Sequence, residues 1–388
     1  TKRSRHSKAP AAQGRTLARC CVSPTRPSDL SLVVKKVFKR EIAEQRLDFA
    51  FVTSLLQIQV FPTCYATSQT SLIPDILAIS PFTSLNLFLL SSMKKFTDSE
   101  VRWGVLGVGN VCELKSAPAM KHIPHSKLVA VMRRDEAKVK DYAARHGVDK
   151  WYTSAHDLIH DPEVNAIYIA TPPNAHLELT RMAAEAGKPV YVEKPMARNH
   201  AECLEMISVC EKHEVPLFVA YYRRALPHFV KIKELIDKGE IGEIRTVHIN
   251  LKQVVEPDII AKLENNWRIN PEISGGGYFF DLASHQLDLL DFFFGKITHA
   301  SGFSSNQAQA YPAEDIVVGS FVFENGVLGT GNWCFSTSAS AEIDEVIIDG
   351  AKGQIRFATF GKGEFTLIKD HEAPVHYQVE LPKHIQQP

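Results

Sequence analysis

The chain has 388 residues, enough for two domains with separate cores. Apolar residues make up 45% and charged residues 23%, and 44 Lys/Arg balance 44 Asp/Glu. That composition is globular and excludes a uniformly basic nucleic-acid binder. Seven cysteines without a paired metal spacing read as reduced thiols and exclude a disulfide scaffold or a zinc module.

The charge balance hides an asymmetry. Residues 1–97 hold 14 Lys/Arg against 5 Asp/Glu, and the first 28 contain Lys2, Arg3, Arg5, Lys8, Arg15, Arg19 and Arg26 with no acid. Such a leader is expected to be an organellar transit segment, or a stretch outside a working protein that starts near Met93. The apolar run 76–90 is broken by Ser80, Pro81, Thr83, Ser84 and Asn86 and falls short of the ~20 residues of a membrane span. No membrane partner is therefore expected. The expected location is cytoplasmic, with an organelle as the alternative if the leader is a transit peptide.

From Val101 onward apolar runs alternate with amphipathic stretches. Strands are expected at 101–106, 128–132, 166–170, 190–192 and 217–220, with helices near 111–121, 135–146, 174–187 and 199–213. Continuous apolar strands separated by helices imply a parallel sheet covered on both faces, wound in the Rossmann manner. Cys203 and Cys210 lie seven apart on the last of these helices and read as core residues. After about residue 243 the runs 245–255, 316–323, 327–335, 346–349, 354–358 and 365–368 are strand-like and joined by turns such as Asn325-Gly326 and Asp349-Gly350. Short connections call for antiparallel neighbours. One helix, at about 277–294, interrupts them. The expected domains are therefore a leader (1–97), a doubly wound α/β domain (98–222) and an α+β domain with a large open antiparallel sheet (223–388).

The turn Gly107-Val108-Gly109-Asn110-Val111-Cys112 follows the first strand and opens a helix. Its glycines allow backbone N–H groups to approach a pyrophosphate at the helix N-terminus, and Cys112 takes the place of the third glycine. At the end of the second strand, where an acid would bind a ribose hydroxyl, stand Arg133 and Arg134. Guanidinium groups suit a 2′-phosphate, which favours NADP over NAD. The alternative leaves both arginines solvated, with Asp135 on the ribose or capping the next helix.

Thr171, Pro172, Asn174 and His176 follow the strand at 166–170 and form a stiff wall beside the dinucleotide, with Asn174 placed to cap the next helix and His176 read as a helix-start residue or a cofactor contact. Glu193-Lys194-Pro195 closes the strand at 190–192. A lysine there, at the carboxyl end of a parallel strand, can donate to a substrate oxygen, and partial burial would lower its pKa. Gly275-Gly276-Gly277 opens a helix on which Asp281, His285 and Asp288 share one face. An acid one turn before a histidine can fix its tautomer and support its protonated form, which makes His285 an acid/base candidate. No third strong ligand joins Asp281 and His285, so no metal is expected.

As a set, GVGNV at 107–111, ATPPNAH at 170–176, EKP at 193–195, YYRR at 221–224, NWR at 266–268 and GGGYFFDLASHQLD at 275–288 resemble the glucose–fructose oxidoreductase/inositol dehydrogenase/rhizopine-catabolism family over about 101–381. The resemblance implies an NADP- or NAD-dependent oxidoreductase acting on a sugar or polyol. It implies Lys194, Asp281 and His285 as catalytic residues. Gly107, Gly109, Asn110, Val111, Thr171, Pro172, Asn174, His176, Glu193 and Lys194 would lie at the cofactor, and Tyr222, Arg224, Trp267 and Arg268 would line the substrate pocket. It also implies a homodimer or homotetramer built through the open sheet. Two departures stand out: the leader has no counterpart in simple members, and the chain stops before the last helix that typically packs back on the first domain. Rival readings are a catalytically silent sugar-responsive regulator, which should lack the lysine or the histidine, and an NAD-dependent glycosidase.

Overall fold

The computed structural model describes residues 96–257 and 266–383. The expectations for the leader fall almost wholly outside the described residues.

The first layer forms as its sequence pattern dictates. Strands β1 (Val101–Leu106), β2 (Ser126–Met132), β3 (Lys150–Tyr152), β4 (Ala166–Ile169), β5 (Val190–Val192) and β6 (Leu217–Val219) make one sheet in the order β3-β2-β1-β4-β5-β6. Every pairing is parallel. The strand order reverses between β1 and β4, and ligand sites of open α/β sheets lie at that switch point. Helices α1 (Asn110–Leu114), α2 (Ser116–His122), α3 (Glu136–His146), α4 (Ala155–Ile159), α5 (His176–Glu185) and α6 (His200–Lys212) connect the strands. The helix expected at 111–121 is two helices, broken at Lys115. Asp135 caps α3 by accepting from Lys138 N at 3.1 Å, so its carboxylate is occupied in starting that helix. Cys203 and Cys210 are buried on α6, and Cys112, Cys203, Cys210 and Cys334 are free thiols.

The chain then passes through the 3₁₀ turn Tyr222–Ala225 and helix α7 (Pro227–Asp237) into a second sheet. Its strands are β7 (Ile244–Lys252), β8 (Ile297–Ser305), β9 (Ile316–Phe323), β10 (Leu328–Cys334), β11 (Ile343–Gly350), β12 (Gly353–Phe357), β13 (Glu364–Lys369) and β14 (Val375–Gln378). Their order is β14-β13-β12-β11-β7-β10-β9-β8. The large antiparallel sheet expected of the second domain is present, and within it β7 and β10 are the one parallel pair among the described strands. The parallel pair is possible because a long excursion separates the two strands. That excursion carries α8 (Pro271–Ser274), the π-helical turn Phe279–Ala283 and α9 (Ser284–Phe294).

Alternation along the strands gives the second sheet two unlike faces. Val247, Ile249 and Leu251 of β7, Trp333 of β10 and Val346 and Ile348 of β11 turn inward and are buried with Phe279, Leu289 and Phe293. On the other face Phe303 is 82% exposed, and Val318 and Leu328 are also exposed. Among the described residues, no helix is long and apolar enough to cross a membrane.

The two glycines of the first turn are required for different reasons. Gly107 has φ +91°, and a Cβ there would lie 2.6 Å from Thr171 Cγ2 and 3.0 Å from Thr171 N. Gly109 has an extended backbone, and a Cβ there would meet only Gly107 O at 3.8 Å. Gly107→Ala is therefore expected to lower stability by about 1–3 kcal/mol, measured by urea unfolding. Gly109→Ala should change it by about 0.5 kcal/mol at most while weakening dinucleotide binding; unfolding at equal denaturant for both variants would contradict this.

Candidate active site

The site lies at the carboxyl ends of β1, β4 and β5, where α9 of the second layer approaches. The turn after β1 supplies the first part. Gly107 N and Val108 N donate to Met132 O at 2.9 and 3.2 Å, which folds the turn over the end of β2. Cys112 N and Glu113 N donate to Gly109 O at 3.0 and 3.1 Å and start α1. Gly109 gives this helix no side-chain cap, so the N–H groups of Asn110 and Val111 have no intrahelical acceptor. Cys112 is fully buried, and Tyr142 Oη donates to its carbonyl at 3.0 Å, pinning the helix to α3. With open space above Gly109 and Thr171 Oγ1 buried without a partner, this cradle fits a dinucleotide pyrophosphate.

Arg133 leaves the end of β2, and its Nη1 donates to Val108 O at 3.1 Å. Its guanidinium thus lies against the Gly-rich turn. Arg134 is exposed. Asp135 serves as the cap of α3.

The wall after β4 differs from its expected roles. His176 is fully buried, with Nδ1 3.0 Å from Met196 O and Nε2 2.8 Å from Thr171 O. Both nitrogens face backbone carbonyls, so the ring ties the loop after β4 to the loop after β5 instead of meeting a cofactor. Asn174 is exposed, and α5 starts at His176 without a side-chain cap, so Asn174 does not cap it. Pro172 precedes a 3₁₀ turn, Pro173–Ala175, which fills that place. Glu193 is buried and accepts from Tyr168 Oη at 2.5 Å. Its carboxylate is turned back to β4 while its neighbour Lys194 faces the cleft.

The centre of the site is a buried carboxylate between two cations. Asp281 Oδ1 pairs with Lys194 Nζ, and Asp281 Oδ2 accepts from Arg268 Nε at 3.0 Å. Lys194 Nζ also donates to the Asp281 carbonyl at 3.3 Å. Burial raises the Asp281 pKa, but the charges of Lys194 and Arg268 outweigh it and hold the carboxyl below its ordinary value. Arg268 stacks over Trp267 with 4.6 Å between guanidinium carbon and ring centroid.

His285 sits one turn further on, 4% exposed, on the first turn of α9. No hydrogen bond joins it to Asp281, whose two carboxylate oxygens point to Lys194 and Arg268. The expected tautomer-fixing pair is therefore absent. His285 Nδ1 is buried without a partner. Tyr221, Tyr222 and Phe360 surround the ring edge-on, with centroids 6.0, 5.7 and 6.1 Å away. Burial, then the charges of Lys194, Arg223 and Lys115, push its pKa well below 6.5. A shift in that direction favours the neutral imidazole, which reverses the expected support for its protonated form and leaves the ring able to accept a proton.

Arg224, expected at the substrate, is occupied elsewhere. Its Nε lies 2.8 and 2.9 Å from the two oxygens of Asp288, and its Nη2 lies 3.0 Å from Asp291 Oδ2. It clamps the 222–225 turn to α9. Arg223 takes the place beside the site. It lies over Phe360 and Tyr222 at 4.6 and 5.4 Å, and its Nη1 donates to Thr359 O at 2.8 Å. Neighbours in a 3₁₀ turn point in different directions, so the sequence pair alone did not say which arginine faced inward. Lys115 was also missed. It caps the break between α1 and α2, and its charge bears on Lys194, Arg223, Glu193 and Asp281. Burial, followed by the charges of Lys194 and Arg223, lowers its pKa, although the residue as a whole is exposed. An unbroken helical pattern at 111–121 gave no sign of it. Among the described residues, no group of three or more His, Cys, Asp or Glu could hold a metal ion.

Two family models match the chain. One, described as the oxidoreductase family with an NAD-binding Rossmann fold, covers residues 101–221; the other, the GFO/IDH/MocA C-terminal domain, covers 229–356. Oxidoreductase P35 of Formosa agariphila is 44% identical over 291 residues, 75% of this chain and 89% of that protein. D-xylose 1-dehydrogenase [NADP(+)] of Haloarcula marismortui is 31% identical over 202 residues, 50% of this chain and 54% of that enzyme. The fold is shared with aldose–aldose oxidoreductase of Caulobacter crescentus, with a TM-score of 0.64 at 23% identity over 74% of this chain and 86% of that one.

The neutral His285 has a measurable consequence. An unfolded histidine takes up a proton near pH ~6.5, whereas the buried one resists it, so acidification through that range favours the unfolded chain. Nuclear magnetic resonance of ring-labelled histidine is expected to find that His285 of the folded protein takes up its proton only below the range of an ordinary histidine. A ring titrating at or above the ordinary value would refute the assignment.

Proposed function

The chain belongs to the Gfo/Idh/MocA family of oxidoreductases, and from that premise we propose that it is an NADP-dependent enzyme moving a hydride between the nicotinamide and a secondary alcohol or carbonyl carbon of a sugar or polyol. The observation that carries this reading is the pairing of Lys194 with Asp281 beside a neutral, buried His285 at the switch-point end of the sheet. Sugar chemistry is supported by the similarity to a xylose dehydrogenase.

The nicotinamide, when bound, supplies the hydride acceptor or donor. The residues of this chain do the rest. In the oxidation direction, His285 accepts the hydroxyl proton as the carbon loses its hydride. Lys194 donates a hydrogen bond to the same oxygen and polarises it as it becomes a carbonyl. Asp281, through its two oxygens, holds Lys194 and Arg268 in place. In reduction the proton returns from the histidine to the alkoxide. The hydrophobic edges of Tyr222 and Phe360 limit water at the imidazole. Asn110, Val111, Thr171 and Pro172 would border the dinucleotide, and the open sheet face with exposed Phe303 would join protomers into a dimer or tetramer.

Arg133 supports NADP as the preferred cofactor, because its guanidinium lies against the Gly-rich turn and Asp135 serves as the cap of α3. Arg133→Asp is expected to shift the ratio of kcat/KM for NADP over NAD toward NAD by about tenfold or more, given that charged hydrogen bonds contribute about 1.5–3 kcal/mol. Equal efficiency with both cofactors in the unmodified protein would count against the assignment.

Lys194→Ala and His285→Ala should each lower turnover by about 10²–10⁴-fold and change NADP affinity much less. Turnover on a panel of sugars and polyols, paired with fluorescence titration of the cofactor, checks this. A His285→Ala enzyme with near-normal turnover would move the proton transfer to another group.

A further inference from the structure

The charges that bear on His285 are all positive: Lys194, Arg223 and Lys115. The nearby carboxylates are engaged. Asp281 lies between Lys194 and Arg268, and Glu193 accepts from Tyr168. Asp344, the carboxylate that reaches Arg223 through space, accepts from Thr359 N at 3.1 Å and Phe360 N at 2.6 Å. Among the described residues, neither Arg223 nor Lys115 is in a hydrogen-bonded ion pair with a carboxylate. Arg223 is 7% exposed, its Nη1 bonds Thr359 O, and its Nε is buried without a partner, which leaves Nη2 as the guanidinium nitrogen that is neither bonded nor fully buried. Among the described residues, the Lys115 ammonium makes no hydrogen bond or ion pair and interacts only through charge.

This excess positive charge lies on the substrate side of the cleft. Arg223 packs on Tyr222 and Phe360, the two rings that also flank His285. The pyrophosphate cradle lies at Gly107–Gly109, and Arg133 lies against it. The charges that bear most on Lys115 are those of Lys194, Arg223, Glu193 and Asp281, the groups around His285. An oxidised nicotinamide is itself cationic and would add to the charge. A neutral sugar would leave these donors uncompensated beside a histidine that must become positive as it accepts a proton. A carboxylate on the sugar would satisfy both cations and stabilise the imidazolium formed during oxidation.

We propose that the substrate is a carboxylate-bearing sugar, a uronic or aldonic acid, whose carboxylate is held by Arg223 and Lys115 next to the carbon that reacts at His285. This rests on the sugar oxidoreductase reading above and narrows its substrate class. The reaction stays balanced: the carbinol carbon loses a hydride to the oxidised nicotinamide, its hydroxyl proton goes to His285, and the carboxylate is unchanged.

The test compares acids with their neutral partners, namely D-glucuronate with D-glucose, D-galacturonate with D-galactose, and D-gluconate with sorbitol. It uses the full chain with NADP⁺ and records both turnover and thermal stabilisation by each sugar. At least one acid should exceed its neutral partner in kcat/KM by about 10- to 100-fold, the ratio expected from one or two charged hydrogen bonds. Its KM should rise with ionic strength. Lys115→Gln, at an open position that leaves the core untouched, should shrink that ratio to below about threefold, and Arg223→Gln should do the same if it folds. Neutral sugars matching or beating the acids in every pair would overturn the anionic substrate and leave the oxidoreductase reading intact. So would a Lys115→Gln variant that keeps the full acid preference. Acid-selective stabilisation without turnover would support the anion site while the redox reading fails. Neither turnover nor stabilisation by any sugar would overturn both.

Discussion

The Asp281 carboxylate is the constraint on which the rest of the site depends. It is buried, and a buried charge is tolerated only when paired and hydrogen-bonded. Lys194 comes from the end of β5 in the parallel sheet, Arg268 from the 3₁₀ turn 267–269, and Asp281 from the π-helical turn leading into α9. One carboxylate therefore joins three segments from both halves of the described structure. The same contact withholds Asp281 from His285 and gives Lys194 a fixed position. The division of labour in the proposed mechanism follows from it: the lysine is oriented by an ion pair, while the histidine is left neutral among aromatic rings.

Helix α9 carries His285, and two further polar contacts set its position. Arg224 clamps Asp288 and Asp291 to the 222–225 turn. Gln286, next to the histidine in sequence, accepts from Trp333 Nε1 at 2.7 Å and donates to Thr359 Oγ1 at 3.2 Å. Trp333 lies on β10, so the helix is tied to the middle of the second sheet. Thr359 precedes Phe360, which covers the imidazole, and Asp344 fixes both by accepting their N–H groups. Satisfied polar groups in a buried network rigidify their surroundings. The open sheet thus does more than carry an exposed face: its inner side holds the helix and the loop that enclose His285.

Much of this was legible along the chain. Continuous apolar runs at 101–106, 166–169 and 190–192 gave the parallel sheet, because strands buried on both faces need no alternation. The Gly107–Cys112 turn and the lysine at 194 were legible because each is a local motif tied to a strand end. Short elements were missed: β3 and α4 are three and five residues long, too short for a period to show. β8 and β14 were missed as well. β8 is buried only at Ile297 and otherwise alternates exposed and half-buried residues, and β14 is a four-residue edge strand. The parallel pairing of β7 with β10 was hidden because a turn signal describes sequence neighbours, and this pair spans the whole helical excursion.

By itself, then, the sequence determined the doubly wound sheet, the Gly-rich cofactor turn, the arginine at the end of β2 and the residue types able to move a proton. These depend on hydrophobic period and on motifs confined to a few consecutive residues. The tertiary structure alone decided which carboxylate meets which cation. It placed Asp281 with Lys194 and Arg268 instead of His285, turned Arg224 away to Asp288 and Asp291, and brought Arg223 and Lys115 to the cleft. The physical reason is that an ion pair depends on distance and burial between residues far apart in the chain. Lys194 and Asp281 are separated by 87 positions, and no local pattern in the sequence encodes that approach.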